Sequence, residues 1–305
     1  MTMPNFLVIG VPKAGTTSLY NYLRQHPQIY MPPDPYKEPN FFAFEGEKLN
    51  FRRPGDNQSW LHRYTITDLK AYQGLFQGVK DEVAIGEASV LYLYLPKAPA
   101  AIKHYIPNAK LIAILRHPVD RAFSHFVHSR GGAREWLTDF SQALQAEEKR
   151  IAQNYAPSWY YQQVGFYHRQ LKRYFDIFDP SQIKVCLYED WKSNPIDFIQ
   201  DIFRFLEVND TFIPDMSVKY LVWDKVPKNK TLFNFLMQEN TIKTALRAII
   251  PARLRRPMAA KVHWSNVTPA PKLTPEIRKQ WISVFREDIK QLQELLQRDL
   301  SQWLE

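Results

Sequence analysis

Residues 5–19 read N-F-L-V-I-G-V-P-K-A-G-T-T-S-L, and this stretch decides the fold. Its first six residues are typical of a short buried strand, a glycine-containing turn follows at once, and residues 18–25 have a helical pattern. Such a turn lets backbone N–H groups point at an anion, and the helix adds the positive end of its dipole. Lys13 adds a full charge, and residues 16–18 add three hydroxyl donors. The stretch therefore predicts a phosphate-binding loop.

The position of the lysine separates this loop from the common triphosphate-binding loop. That loop follows the pattern G-x-x-x-x-G-K-[ST], with the lysine after the second glycine. Here Gly10 and Gly15 have the same spacing, but Thr16 follows the second glycine and Lys13 lies between the two. An ordinary kinase or ATPase loop is a poor match, so a P-loop small-molecule kinase is kept only as a distant alternative.

Three further apolar runs, at residues 83–86, 110–115 and 183–187, have the length and composition of buried parallel strands. Helical patterns at residues 119–129 and 167–175 lie between the last two runs. Strands that alternate with helices are typical of a parallel sheet covered on both faces. We therefore expect an α/β protein with a central parallel sheet flanked by helices.

The remaining chain is compatible with one domain over residues 1–305, since no long polar linker interrupts it. Residues 228–262 contain apolar positions at helical spacing with basic residues between them, which favours a helical lid or insertion. Thr274 begins another helical pattern whose apolar face continues towards the C-terminus. That last helix is predicted to be structural.

Composition narrows the cellular setting and the partners. A net charge of +9 favours anionic partners, but lysines and arginines are spread along the chain, which argues against a nucleic-acid-binding patch. The single cysteine, Cys186, lies in a strand-like run and is expected to be a buried thiol in a reducing compartment. We find neither an export signal nor an integral membrane segment in the sequence, so we expect a cytoplasmic protein. The composition permits a homodimer without requiring one.

A second anion-binding element occupies residues 110–124, K-L-I-A-I-L-R-H-P-V-D-R-A-F-S. Arg116 follows the strand directly, where its guanidinium can bind a phosphate through two N–H donors. Pro118 is suited to the first turn of the next helix, and Ser124 lies about two turns along it. This spacing pairs a charge with an oriented hydroxyl.

The two elements together resemble the sulfotransferase family. P-K-x-G-T-[TS]-[SA]-L after an N-terminal strand is similar to that family's 5′-phosphosulfate loop, and residues 110–124 are similar to its 3′-phosphate segment. Weaker similarities follow in the family's order at residues 86–92, at residues 165–171 and at the C-terminus. The closest likeness in style is to bacterial and glycan-type members. The resemblance implies a three-layer α/β fold of P-loop type.

The resemblance also implies a donor and the residues that bind it. The donor would be 3′-phosphoadenosine 5′-phosphosulfate (PAPS), and the product adenosine 3′,5′-bisphosphate (PAP). Lys13 would stabilise the leaving group, Arg116 and Ser124 would hold the 3′-phosphate, and a late basic loop at residues 261–272 would close on the nucleotide. The full set of donor-binding residues implied in this way is Lys13, Ala14, Gly15, Thr16, Thr17, Ser18, Arg116, Ser124, Tyr167 and Lys261. No metal is expected, because the eight histidines form no ligand cluster along the chain.

Sulfuryl transfer needs a base at the acceptor, and residues 36–42, Y-K-E-P-N-F-F, contain our first candidate. This stretch resembles the K-E-x-H-F-F-D segment of glycan sulfotransferases, whose glutamate acts as base, and Glu38 matches that glutamate. Asn40 replaces the histidine of that pattern, and Ala43 replaces its aspartate. Histidine is the rival base, with His62, His125 and His168 as candidates.

The acceptor is less well specified than the donor. Phe41, Phe42, Glu87 and Tyr92 lie in or near expected loops, and we predict that they contact it. Because the glycan-type segment has lost its histidine and aspartate, we expect a small-molecule metabolite or natural product. A glycan acceptor is the alternative.

Overall fold

The structure is a computed structural model, and it describes residues 2–52, 61–132, 134–135, 137–218, 225–229, 231–233, 253, 262 and 265–305. Within these residues five parallel strands form one sheet, in the order β2-β3-β1-β4-β5. The strands are β1 (Phe6–Gly10), β2 (Ile29–Tyr30), β3 (Ala84–Glu87), β4 (Lys110–Leu115) and β5 (Ile183–Leu187). A separate antiparallel pair joins β6 (Lys225–Pro227) to β7 (Val267–Pro269).

Helices flank the sheet, as the alternating sequence pattern predicts. Those before β5 are α1 (Thr16–Leu23), α2 (Phe41–Phe44), α3 (Leu61–Tyr64), α4 (Leu69–Gly74), α5 (Ala98–Tyr105), α6 (Pro118–Gly131), α7 (Phe140–Gln145), α8 (Glu147–Ala152) and α9 (Tyr167–Phe175). Those after β5 are α10 (Tyr188–Ser193), α11 (Pro195–Leu206) and α12 (Pro275–Leu296). The long helix α12 packs against α6 and α9.

The central strands explain why the sheet is stable. All five residues of β1 are fully or almost fully buried, and so are the last five of β4. A strand that is covered on both faces must be apolar at every position, which is why both strands read as continuous hydrophobic runs. β1 lies between β3 and β4, so the chain changes direction across the sheet at the carboxyl end of β1. In open α/β sheets such a switch point is where ligands bind.

The predicted architecture is confirmed in its main elements. The strand at residues 110–115 and the helix at 167–175 have the bounds expected from the sequence, and the first strand differs by one residue. The two-residue strand β2 and the β6–β7 pair were missed, because strands this short carry no periodicity. The proposed lid at residues 228–262 lies almost wholly outside the described residues, and the single-domain assignment stays a prediction.

Two smaller expectations can be compared with the described residues. Cys186 is buried, and burial raises the pKa of its thiol to about 12, which is unsuited to a nucleophile. Among the helices that the structure describes, none is long and apolar enough to cross a bilayer.

Candidate active site

A cleft of about 1090 Å³ opens beside the carboxyl ends of β1 and β4. Its walls come from the loop after β1, from α6, from α10 and from residues 270–273, which precede α12. Of the described residues on these walls, five are lysine or arginine and two are acidic. The cations are Lys13, Arg116, Arg134, Lys192 and Lys272, and the acids are Glu38 and Asp120. The cleft is therefore suited to an anionic ligand.

The loop between β1 and α1 forms the floor of this cleft. The Val11 N–H donates to the Ile114 carbonyl at 2.9 Å, which fastens the loop to β4. Gly15 has φ +91°, and a Cβ at this position would overlap the Trp191 ring, so only glycine fits. The helix α1 begins directly afterwards, without an acidic residue in its first turn. An anion at this end would meet the helix dipole without competition from a carboxylate on that turn.

The structure brings most of the predicted loop residues to the cleft. Lys13, Gly15, Thr16, Thr17 and Ser18 all line it. Ala14 differs, because its side chain is fully buried and its N–H donates to the Val11 carbonyl at 3.3 Å. We therefore assign Ala14 to the shape of the loop and correct its predicted role as a direct donor contact.

Lys13 lies among other cations. Its pKa is lowered to about 8, first by burial and then by the charges of Arg116, Arg134 and Lys37. A lysine in such surroundings is unfavourable as a cation until an anion approaches. The loop and the cation cluster are thus suited to an anionic group.

Arg116 is held from two sides at the end of β4. Its Nη1 donates to the Lys13 carbonyl at 3.1 Å, and its guanidinium lies over the Tyr188 ring, 4.9 Å from the ring centroid. The Tyr167 hydroxyl donates to the Arg116 carbonyl at 2.8 Å. Ser124, on α6, lines the same cleft. The pair predicted to bind a second phosphate therefore shares one wall with the loop.

Tyr167 has a different role from the predicted one. Its side chain is fully buried and is absent from the cleft walls, so it does not offer a donor contact. Its hydrogen bond to the backbone of Arg116 instead fixes the end of β4. Lys261 lies outside the described residues, whereas Lys272, from the same predicted basic loop, lines the cleft.

Glu38 lies on the cleft wall, and its side chain is 25% exposed. Lys37 donates from Nζ to Glu38 Oε1 at 2.7 Å and is itself almost buried, with 10% of its side chain exposed. The Asn40 side-chain amide donates to the Glu38 carbonyl at 2.8 Å. The carboxylate predicted as base is therefore in the same cleft as Lys13, with one oxygen bound by a neighbouring lysine.

The four residues predicted to contact the acceptor do not reach the cleft. Phe41, Phe42, Glu87 and Tyr92 are all fully buried. Phe41 stacks on Tyr72 at 4.4 Å between ring centroids, so the aromatic residues pack α2 onto the core. The predicted direct contact with the acceptor is corrected on this burial.

The histidines considered as the base do not all reach the cleft. His168 lies on α9, and its backbone N–H donates to the Asp288 side chain of α12 at 3.0 Å. The residue lines a separate groove, which Lys13 does not line. The prediction that His168 is the base is therefore corrected on position. The side chain of His62 lies outside the described part of the chain. His125 and His128 do line the cleft.

Those two cleft histidines are weakly basic. Burial and then the charge of Arg121 lower the pKa of His125 well below its usual value. Burial, followed by the charges of Lys13 and Arg134, lowers the pKa of His128 to about 3. Both imidazoles are therefore neutral near pH 7.

Arg134 is a cleft residue that the sequence did not single out. Its N–H donates to the Ser129 carbonyl at 2.8 Å, and its own carbonyl accepts from Trp159 Nε1 at 3.3 Å. The next residue, Glu135, is buried in a two-bond ion pair with Arg150, at 2.8 and 2.9 Å. The loop after α6 is therefore firmly anchored, and it places an arginine close enough to Lys13 to lower its pKa.

Trp191 was missed as well, although it is the tryptophan of the stretch Y-E-D-W-K that directly follows β5. Its ring packs beneath Gly15, stacks on Phe198 at 5.0 Å and meets Tyr22 edge-on at 6.0 Å. A tryptophan soon after a strand end was the available sequence signal. Metal ligation gains no support within the described ranges, where no group of three or more histidine, cysteine or acidic side chains is close enough to hold an ion.

The fold and the cleft define an α/β enzyme with a phosphate-binding loop at the carboxyl edge of a parallel sheet. A family model described as "Sulfotransferase family" matches residues 4–212. The sulfotransferase from Alicyclobacillus acidocaldarius, whose crystal structure is known, is 35% identical, with a TM-score of 0.76 and 100% of both chains covered. The chain belongs to the sulfotransferase family.

Curated relatives agree at lower identity. Carbohydrate sulfotransferase 15 of Homo sapiens is 27% identical over 248 residues, which cover 68% of this chain and 44% of that protein. The bifunctional heparan sulfate N-deacetylase/N-sulfotransferase 3 of Homo sapiens is 27% identical over 211 residues, covering 68% of this chain and 22% of that protein. The chain thus spans less than half the length of these relatives. Membership of the sulfotransferase family agrees with the prediction made from the sequence.

Proposed function

We propose that the protein transfers the sulfonate group of PAPS to a hydroxyl or amine of an acceptor. The observation that carries this proposal is the placement of Lys13. It lies in a loop in which only glycine fits at position 15, and Arg116 donates to the Lys13 carbonyl. One cleft thereby holds two anion-binding elements, as a donor with phosphates at both the 5′ and 3′ positions requires. A triphosphate has no 3′-phosphate and would leave the second element without a partner.

The donor would lie with its 5′-phosphosulfate on the loop. Backbone N–H groups, the dipole of α1 and the hydroxyls of Thr16, Thr17 and Ser18 would bind the 5′-phosphate. Arg116 and Ser124 would bind the 3′-phosphate by charge-assisted hydrogen bonds. The Tyr188 and Trp191 rings, on the neighbouring wall, offer apolar surface for the adenine.

The transfer would be an in-line displacement at sulfur. The acceptor oxygen or nitrogen forms a bond to sulfur, its proton passes to Glu38, and the bond from sulfur to the bridging phosphate oxygen breaks. Lys13 would stabilise the charge that develops on that leaving oxygen, which is the contribution a positioned cation makes in phosphoryl transfer. Because Lys37 binds Oε1 of Glu38, we assign proton acceptance to Oε2.

A small-molecule metabolite or natural product is our first choice of acceptor. The cleft volume of about 1090 Å³ lies just above the range of roughly 300–1,000 Å³ for single-ligand pockets, which leaves room for a nucleotide and a compact acceptor. A glycan is the second choice, and the names of the curated relatives are what favours it. With a small-molecule acceptor, the site of action would be the cytoplasm, and no metal would take part.

The direct test supplies PAPS together with two acceptor sets. One is a pool of hydroxylated and amino metabolites, and the other is desulfated heparin. Mass spectrometry should detect an added sulfonate on a member of the pool, together with formation of PAP. Sulfonation of heparin alone would select the glycan alternative. If neither PAP nor a sulfonated product forms under any condition, the proposed donor chemistry is wrong.

Two variants report on the proposed residues. Lys13→Ala should abolish PAP formation while the far-ultraviolet circular dichroism spectrum stays unchanged. Lys172→Ala is the matched control, since this lysine is exposed and paired with Asp176 outside the cleft, and it should leave turnover unaltered. A fully active Lys13→Ala enzyme would show that another group stabilises the leaving oxygen.

A further inference from the structure

Glu38 lies on a chain segment that a second segment holds by its backbone. We call residues 37–42 the base segment and residues 87–92 the clamp segment. The Ala88 N–H donates to the Lys37 carbonyl at 3.2 Å, just before Glu38. The Asn40 N–H donates to Ser89 Oγ at 2.9 Å, two residues after it. The backbone on both sides of the proposed base is therefore fixed to the end of β3.

A third contact runs through a buried tyrosine. The Phe42 N–H donates to the Tyr92 hydroxyl oxygen at 3.4 Å, and that hydroxyl donates to Glu87 Oε1 at 2.6 Å. A phenol has a single O–H donor. Because the Tyr92 hydroxyl donates its hydrogen bond to Glu87, its oxygen is left to accept one from the Phe42 N–H. The Glu87 carboxyl group therefore sets the direction of the hydrogen bond between Tyr92 and Phe42.

Glu87 also binds a second ring of the same cluster. The Tyr72 hydroxyl donates to Glu87 Oε1 at 3.3 Å, and Tyr72 stacks on Phe41 in the base segment. Glu87 is fully buried, and burial raises the pKa of its carboxyl to about 7. A buried carboxyl is unfavourable compared with an apolar side chain of similar size. Its hydrogen bonds to two tyrosines that both contact the base segment give it a function there.

We propose that Glu87 is a positioning residue for sulfuryl transfer, which acts through Tyr92 to hold the base segment so that Glu38 stays on the cleft wall shared with Lys13. The inference rests on the proposed role of Glu38 as base. It replaces the direct acceptor contact expected for Glu87 and Tyr92 with an indirect role. Neither residue touches the acceptor, and both determine where the base lies.

Hydrogen exchange tests the clamp without an acceptor. Tyr92→Phe removes one oxygen atom and should speed amide exchange in peptides that cover residues 40–42, with little change at β4. Glu87→Leu should give the same local effect. Glu87→Gln keeps a side-chain carbonyl that accepts from Tyr92, so it should retain slow exchange. Unchanged exchange in a folded Tyr92→Phe protein would overturn the proposed positioning role. If Glu87→Leu does not fold, the result with Tyr92→Phe alone is decisive.

Turnover separates positioning from general stability. With PAPS and the metabolite pool as probe, Tyr92→Phe and Glu87→Leu should slow PAP formation by roughly tenfold or more, as expected when a base is displaced. PAP affinity should stay within about twofold, and Glu87→Gln should recover most of the rate. Equal losses in PAP affinity and rate would indicate a general structural defect and overturn the positioning role.

A parallel Glu38→Gln variant distinguishes the positioning role of Glu87 from the role of Glu38 as base. If Glu38→Gln is inactive and Tyr92→Phe is fully active, the clamp is wrong and the base assignment stands. If Glu38→Gln keeps full turnover, Glu38 is not the base, and the positioning role fails with it. If both variants are slow and both bind PAP normally, the inference is supported.

Discussion

Replacing Lys13 with methionine should stabilise the protein while destroying its function. Methionine has a similar length and no charge, so the variant removes a cation from the cluster formed with Arg116, Arg134 and Lys37. The lysine pKa falls from 10.5 to about 8 on folding. At about 1.4 kcal/mol for each pKa unit, this shift corresponds to up to about 3.5 kcal/mol of free energy of unfolding. We expect a gain of that order at pH 7.

The predicted difference in the free energy of unfolding between Lys13→Met and the wild type depends on pH. Because the folded pKa is depressed, the unfolded chain binds the proton more tightly, and the wild-type free energy of unfolding rises with pH between about 8 and 10.5. The destabilisation is fully present below pH 8. The advantage of Lys13→Met should therefore shrink to about 1 kcal/mol by pH 9.5. Bound PAP should remove the same destabilisation from the wild type, since an anion favours the charged lysine.

Urea denaturation of both proteins at pH 7 and pH 9.5 measures the effect. Lys172→Met is the matched control, because the same change at an exposed ion pair should alter the free energy of unfolding by less than about 1 kcal/mol at either pH. A Lys13→Met protein that is less stable than wild type at pH 7 would refute the reasoning. A gain that does not decrease with pH would refute it as well.

Two further predictions concern the loop and the clamp. Gly15→Ala should destabilise the protein by about 1–3 kcal/mol and abolish PAP binding, because φ is +91° and the new methyl group would overlap Trp191. Gly46→Ala, at φ +69° with open space around it, should show the backbone cost alone, and equal effects would contradict the overlap. Glu87→Gln should gain stability relative to wild type as pH rises from about 4.5 to about 7, by on the order of 3 kcal/mol, because the wild-type carboxyl must ionise in a buried site. A difference that is flat with pH in urea titrations would contradict the raised pKa of Glu87.

The sequence predicted the elements whose physical determinants are local. β4 could be predicted from the sequence, because its last five residues form the continuous apolar run of a central parallel strand and Arg116 begins the loop that follows. The phosphate loop could be found because its glycine spacing and lysine follow from the chemistry of anion binding. The strand β2 could not, since two residues have no pattern.

The site predictions that failed concern residues whose positions depend on tertiary contacts. Phe41 and Phe42 follow the proposed base directly, and only the packing of α2 on Tyr72 shows that they face the core. Arg134 was missed because its placement depends on the buried ion pair between Glu135 and Arg150. These two residues are fifteen positions apart, so no local sequence pattern predicts their contact.

We propose that one cleft binds a nucleotide with both a 5′- and a 3′-phosphate. Calorimetric titration with PAP and with 5′-AMP, which lacks the 3′-phosphate, tests it most directly. The wild type should bind PAP more tightly by at least roughly tenfold, because Arg116 adds a charge-assisted hydrogen bond to the extra phosphate. Arg116→Gln should bring the two affinities together. Equal affinities in the wild type, or a preference for PAP that survives in Arg116→Gln, would contradict the account.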